Sequence, residues 1–588
     1  MTALLLAALL WPLCVALYVV RQMFRPPEAR RFFSLGWLSA AWPALLLAFI
    51  GEGAWEWQAW LLGGQWALDT LARAWLGFTA LLWSLAALHA RGYFKREAAR
   101  ARLGDDGESG KLLRFTLFWP LTFLGNAFLI LSRDVASFYL GFALMTFAAY
   151  ALVLHEQSGA AKRGAHAYIV LAVIGEALIL GGLLWAAGSG EMTTLEGVRE
   201  AIAAAPQGVW MALLLWLGFG VKAGVIGLHV WLPLAHPVAP APASAVLSGA
   251  MIKAGLLGWL ALLPLGVEGL APAFSTLGEV MLVAGFAAAF GAAFYGVGQR
   301  HPKAVLAYSS ISQMGMMTAL VAVGLLDATL WPALLPGIAL FAGHHALAKG
   351  ALFLGTSVSE HMPRLPTALL WIVLALPALS LTGAFGAGVI SKYSVKHVLE
   401  EGAHHHIVLL LTWAAVGTTA LVSVCLWRQW QDRDTGDSDA WQLAGWALAI
   451  LAALTVPWWL PLPQESVHVP ALKSLKSLVW PLPAGVALVV IGVVLARALS
   501  APTLPAGDLW WPYQKGAGWL VALCKGVAQR SKRVKRSSVA RALVLERRAM
   551  ARLNQALEGE RWLRRHGSGL MMALAVVLAL LLIWEGSQ

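Results

Sequence analysis

The chain has 588 residues, of which 59% are hydrophobic and only 12% charged, about half the charged share of a soluble domain. Apolar runs recur from end to end, which excludes a soluble globular protein of this length and indicates an all-α polytopic membrane protein. A net charge of +13 does not signal nucleic acid here, because the basic residues sit in loops, where they orient helices in a bilayer.

About sixteen apolar segments approach the ~20 residues needed to span. They lie near 2–20, 33–51, 70–90, 113–131, 135–154, 167–187, 208–228, 241–264, 275–297, 303–326, 330–356, 367–390, 407–428, 440–461, 481–499 and 568–585. The first, Thr2 to Val20, lacks a basic leading region and a small-residue cleavage site, so it reads as a retained helix. Loops after odd-numbered segments are basic: Arg21, Arg25, Arg30 and Arg31, then Arg91, Lys95, Arg96, Arg100 and Arg102, then Lys162 and Arg163, then Arg300. Loops after even-numbered segments carry acids: Glu52 and Glu56, then Glu191, Glu196 and Glu200, then Glu400 and Glu401. The positive-inside rule places the basic set in the cytoplasm of a bacterial-type inner membrane, with both termini on the other side. The charged stretch 501–567, with valines, leucines and Met550 interspersed, reads as an amphipathic helix lying on the cytoplasmic face before the last span.

Cys14, Cys425 and Cys524 are far apart and form no CxxC, which argues against an iron–sulfur or zinc site. No glycine-rich strand–turn–helix suggests a flavin, and nothing suggests haem. No cofactor is expected, and any redox chemistry belongs to a partner. The His404–His406 run lacks helix-face spacing and reads as loop, not metal site.

An ionisable residue inside a span costs about 2.5–3.5 kcal/mol on insertion scales, so those that occur are candidates for function. The seventh segment and its continuation read GFGVKAGVIGLHVWLPLAHPVAPAPASAVLSGAMIKAG. Lys222 lies within the apolar run, and His229 falls two turns along the same helix face. Pro233, Pro237, Pro240 and Pro242 then break the helix with His236 in the break, and Lys253 stands deep in the eighth segment. Broken helices at membrane depth mark ion sites in transporters. In GHHALAKGALFLG, His345 and Lys349 share a face while His344 points elsewhere. Lys392 follows the glycine-rich stretch LTGAFGAGVIS. Glu176 is the only acid well inside an early span and the candidate partner of Lys222.

The strings KAGVIGLHVWLPLAHPVAPAPASAVLSGAMIKAG, HPKAVLAYSSISQMG, HHALAKGALFLG and GVISK resemble the antiporter-like membrane subunits of complex I. Mrp-type cation/proton antiporters and group 4 hydrogenases share that family. The resemblance covers roughly residues 113–428. It implies two inverted five-helix repeats over 113–264 and 265–428, preceded by helices over 1–112. Helices over 429–500, the lateral helix 501–567 and a final span 568–588 would follow. It implies an ion pathway through Lys222, Lys253, His345, Lys349 and Lys392, with Lys222 and Lys392 each in a broken helix; the reading of the buried residues adds Glu176, His229 and His236 to that pathway. One departure stands out: the family's glutamate in the fifth span is replaced by Ala143. The resemblance implies a proton- or Na+-translocating subunit working with other membrane subunits in the bilayer, and with a peripheral cytoplasmic enzyme subunit. Two alternatives stay open. One is a scaffold subunit with lost conduction; the other is an ion-coupled subunit energising inorganic carbon uptake.

Overall fold

The computed structural model describes residues 1–498 apart from 62, 189–192, 364–365, 435, 437 and 472–473, and beyond them only 507, 512–513 and 515. The expected lateral helix and the final span therefore lie outside the described residues. The chain divides into Met1–Gly507 and Asp508–Gln588; the account below concerns the first unit.

The chain opens with α1 (Thr2–Met23), two short helices α2 (Leu35–Leu38) and α3 (Trp42–Ile50), and a hairpin of β1 (Gly53–Trp57) and β2 (Gly64–Leu68). Then come α4 (Thr70–Tyr93), α5 (Lys95–Arg102), α6 (Asp106–Leu131), α7 (Val135–Val153), α8 (Gly159–Gly188), α9 (Leu195–Ala204) and α10 (Gly208–Ala223). Three short pieces follow: α11 (Trp231–Ala235), α12 (Ala241–Val246) and, after a π-helical turn at Leu247–Met251, α13 (Ile252–Leu262). The remainder comprises α14 (Pro272–Gly296), α15 (Pro302–Leu326), α16 (Trp331–Glu360), α17 (Thr367–Thr382), α18 (Ala387–Glu401), α19 (His405–Gln431), α20 (Ala440–Trp459), α21 (Leu475–Val479) and α22 (Pro481–Ala498).

Helix starts are set by short polar side chains that accept the first free backbone N–H groups. Asp69, Asp105, Asp134 and Thr194 cap α4, α6, α7 and α9 in this way. Among the described residues twelve helical segments are long and apolar enough to cross a membrane. Three shorter apolar segments, Leu35–Ile50, Gly208–Ala223 and Pro481–Leu495, coincide with the remaining runs expected before residue 500.

Two features depart from the expected all-helical chain. The second apolar run is split between α2 and α3, and Gly53–Leu68 forms an antiparallel hairpin with Trp55 opposite Trp66. Trp57, Trp60 and Trp66 pack on one another and on Phe128, with ring centroids 6.0–6.4 Å apart. The hairpin is pinned to the α6–α7 turn where Gln65 N donates to Asp134 Oδ2 at 2.9 Å and Arg133 N to Gln65 O at 2.8 Å.

The centre of the bundle is α16, fully buried over its most apolar window and packed against α4, α12, α15, α17, α18 and α20. Helix pairs approach closely where glycines face each other. A Cβ on Gly285 of α14 would lie 2.7 Å from Gly315 O of α15, and one on Gly125 of α6 would lie 2.7 Å from Gly141 O of α7. Small residues at such contacts let helix backbones meet where lipid offers no hydrophobic drive for association.

Candidate functional site: a buried row of lysines and histidines

Every expected ionisable residue of the pathway is buried: Glu176, Lys222, His229, His236, Lys253, His345, Lys349 and Lys392 are each 6% exposed or less. Glu176, His345 and Lys349 stand on the continuous helices α8 and α16, whereas Lys222 and Lys392 lie next to helix interruptions. After Ala223 the chain leaves the helix through Gly224 and Gly227, both at φ +83, a conformation that favours glycine. It resumes at Trp231. The chain is thus interrupted at 224–230 and again at 236–240, where Pro237 and Pro240 flank the expected break, while Pro233 sits inside α11. As a consequence His229 is not on the Lys222 face of a continuous helix. It stands within the first interruption, and His236 stands in the second, between α11 and α12, as the prolines led one to expect. A further interruption separates α17 from α18, with Gly383 at φ +86 and Gly386 at φ +56. Lys222 precedes its break and Lys392 follows its own.

Lys222 and Glu176 line one small cavity with Phe142, Thr146, Tyr168, Gly175, Gly218 and Trp231. The cavity, of about 10 Å³, is at the lower limit of what holds one water. The Lys222 Nζ donates to the Tyr168 hydroxyl at 2.9 Å, and that hydroxyl donates to Thr146 O at 2.7 Å. The ammonium also lies 5.0 Å from the Tyr168 ring centre, 5.8 Å from Phe142 and 5.9 Å from Trp231, within reach of cation–π attraction. The Glu176 carboxylate faces Lys222, Thr146 and Tyr139 without a close hydrogen bond to any of them. Ala143 is half-buried beside Phe142 on α7.

From Lys222 the row continues inward. A Cβ on Gly255 of α13 would lie 2.7 Å from Ala223 N, which brings α13 against the end of α10. Two residues before it, the Lys253 Nζ bonds to His345 Nδ1 and donates to Ser248 O at 3.2 Å. Ser248 lies in the π turn, a local widening of the helix that recurs at functional sites. One turn further along α16, the Lys349 Nζ donates to Leu306 O at 2.8 Å. His236 stacks on the Phe353 ring at 4.6 Å, and neither of its ring nitrogens has a hydrogen-bond partner among the described residues.

His344 has a larger part than its sequence suggests. Its Nε2 lies 2.8 Å from Ser380 Oγ on α17, and Ser380 Oγ accepts from Gly388 N at the start of α18. Neighbouring histidines of α16 thus reach opposite sides, His345 to Lys253 and His344 to the second interrupted helix. There the Lys392 Nζ donates back to Thr382 O at 3.1 Å, the last residue of α17. Two further buried lysines were not singled out from the sequence. Lys303 donates to Ala239 O at 3.1 Å, and Lys396 to Thr412 Oγ1 at 2.8 Å. Each lies close to a helix end in sequence, where a lysine ordinarily reaches for the bilayer surface. The signal that could have found Lys303 is its place in HPKAVLAYSS, one of the strings carrying the resemblance. Among the described residues no group of three or more His, Cys, Asp or Glu side chains is placed to hold a metal ion. His404 instead pairs with Asp327 at 3.0 Å.

Residues 132–387 match the family described as NADH:quinone oxidoreductase/Mrp antiporter, TM. Hydrogenase-4 component B of Escherichia coli K12 is 29% identical over 246 residues, which cover 40% of this chain and 36% of that protein. The chain spans between 33% and 47% of the length of the curated relatives it matches first. Among solved structures, the Mrp complex from Dietzia sp. DQ12-45-1b superposes with a TM-score of 0.69 at 21% identity, over 95% of this chain and 63% of that one. An archaeal membrane-bound sulfane sulfur reductase superposes with a TM-score of 0.63 at 18% identity, over 82% of this chain and 99% of that one. These likenesses carry the fold. With its apolar helices and its matched region, the chain is a multi-pass membrane protein whose residues 132–387 match the transmembrane region of the NADH:quinone oxidoreductase/Mrp antiporter family.

Proposed function

We propose that the chain is a proton- or Na+-translocating membrane subunit of a multi-subunit complex, moving ions along Glu176, Lys222, Lys253, His345, Lys349 and Lys392. The observation that carries this reading is the set of buried amines and imidazoles, with His345 of α16 bonded to Lys253 of α13 and His344 to Ser380 beside the interruption that precedes Lys392. Burial of so many ionisable groups in a membrane protein is costly and is retained where it serves a pathway. The proposed domain plan is two antiporter-like repeats over 113–264 and 265–428. The facing glycines of α6–α7 and of α14–α15 support it, because each pair opens one proposed repeat. Other membrane subunits are the proposed partners, with a redox or transport subunit supplying the free energy. The proposed location is a bacterial-type inner membrane with both termini outside.

Ala143 favours a second reading, in which the first half no longer conducts and the subunit serves as scaffold. One assay separates them. In vesicles bearing the assembled complex, Lys222→Ala or Lys253→Ala lowers coupled ion flux at least tenfold if the row conducts. Intact assembly with unchanged flux in both variants, and in Glu176→Gln, would leave the scaffold.

A further inference from the structure

We propose that the cleft between α1 and the basic turns after α1 and α4 binds an anionic phospholipid, its phosphate on a group of arginines and an acyl chain along α1. The cleft has a volume of about 950 Å³, at the upper end of ordinary ligand sites. At one end it is lined by Arg25, Arg30, Arg31, Arg91 and Arg102 against the single carboxylate of Glu28. None of the five arginines forms a salt bridge among the described residues.

Three of these guanidiniums are held in place by direct contacts to neutral groups. Arg30 donates to Arg25 O at 3.0 Å and to Ser109 Oγ, Arg102 donates to Arg30 O at 3.3 Å, and Arg91 lies 4.5 Å over the Trp441 ring. The group is thus an organised site for phosphate oxygens, which planar guanidinium forks bind well.

The other end of the cleft is not suited to a small soluble anion. Trp11, Val15 and Tyr18 of α1 form its wall. From Trp11 to the end of α1 at Met23 is about 18 Å at 1.5 Å per residue, comparable to the ~15 Å of hydrocarbon in one leaflet. Beside the arginines, Phe24 and Leu103 are 82% and 89% exposed, as suits apolar side chains resting among lipid headgroups. Basic pockets between transmembrane helices with an apolar wall fit anionic headgroups.

The test uses the full chain, purified and reconstituted in nanodiscs of phosphatidylcholine with or without phosphatidylglycerol. The readouts are native mass spectrometry and thermal unfolding. The expected result is retained phosphatidylglycerol and a raised Tm in its presence. The double variant R25Q/R31Q changes two arginines whose side chains have no hydrogen bond among the described residues. Its phosphatidylglycerol affinity falls about thirtyfold, from ~1 kcal/mol per surface cation, while K162Q/R163Q leaves it unchanged. Equal affinity in R25Q/R31Q, or an equal loss in K162Q/R163Q, overturns the proposal. So does glycerol phosphate or a glutamate-rich peptide binding as tightly as the lipid.

Discussion

At the scale of single residues, Lys222 depends on one hydroxyl and three aromatic faces. A hydrogen bond to a charged group contributes about 1.5–3 kcal/mol. Tyr168→Phe should therefore lower ion flux about tenfold or more while the aromatic packing on Trp231 persists; flux in vesicles alongside an unchanged Tm would read this. A second residue has a pH consequence outside the spans. His155, in the turn after α7, is buried against Phe94 and Phe115. Burial, with Arg114 and Lys111 nearby, pushes it down to about 3. Its folded value is below its unfolded one, so its neutral form contributes fully above about pH 6.5. That contribution is lost as pH falls toward 3. Between pH 7.5 and 5 the wild type should lose up to about 2 kcal/mol through this group, and His155→Phe should flatten that part of the Tm–pH curve. The Glu176–Lys222 association was legible because each is a lone charge in a long apolar run. Lys303 and His344 were not, because a lysine near a helix end and one histidine of a pair carry no sign of which neighbour will bury them.

Interrupted helices set the geometry at the scale of elements. Gly383 holds a left-handed turn, and a Cβ there would stand 2.7 Å from Lys392 Cδ. Gly383→Ala should cost about 1–2 kcal/mol in backbone strain and displace the Lys392 amine from Thr382 O. A Tm drop of a few degrees with a larger loss of flux would show both effects. The glycine pair between α14 and α15 makes a separate prediction. Gly285→Leu must push apart backbones that touch, at a cost of about 1–3 kcal/mol, whereas Gly181→Leu, with open space at its Cβ, should leave unfolding unchanged. The interruption at 236–240 was readable from the run of prolines, but the one before it at 224–230 was not. Glycines permit the left-handed turn that starts it, while Pro233 sits within the first turns of the following helix, where its missing N–H does little harm. The hairpin left a weak trace in the alternation GAWEW and the Gly63–Gly64 pair. The surrounding apolar residues outweighed it.

At the scale of the whole molecule, buried lysines and histidines stand within an otherwise apolar interior, several of them on or against α16, and large apolar side chains such as Ile174, Val283 and Leu409 face outward. The alternation of loop charge predicts which faces share a side. Single cysteines introduced at Arg96 and Lys162 should react with a membrane-impermeant maleimide from one side of sealed vesicles, and one at Gln58 from the other; labelling of all three from the same side would refute the proposed topology. Long apolar runs made this plan readable, since lipid demands them wherever a helix crosses. One feature of the centre has a mechanical consequence. Successive residues of a helix point about 100° apart, and His344 and His345 are such neighbours, each engaged with a different half of the bundle. A small roll of α16 that tightened one contact would loosen the other, so Lys253 of α13 and Ser380 of α17 are geared to a common shaft.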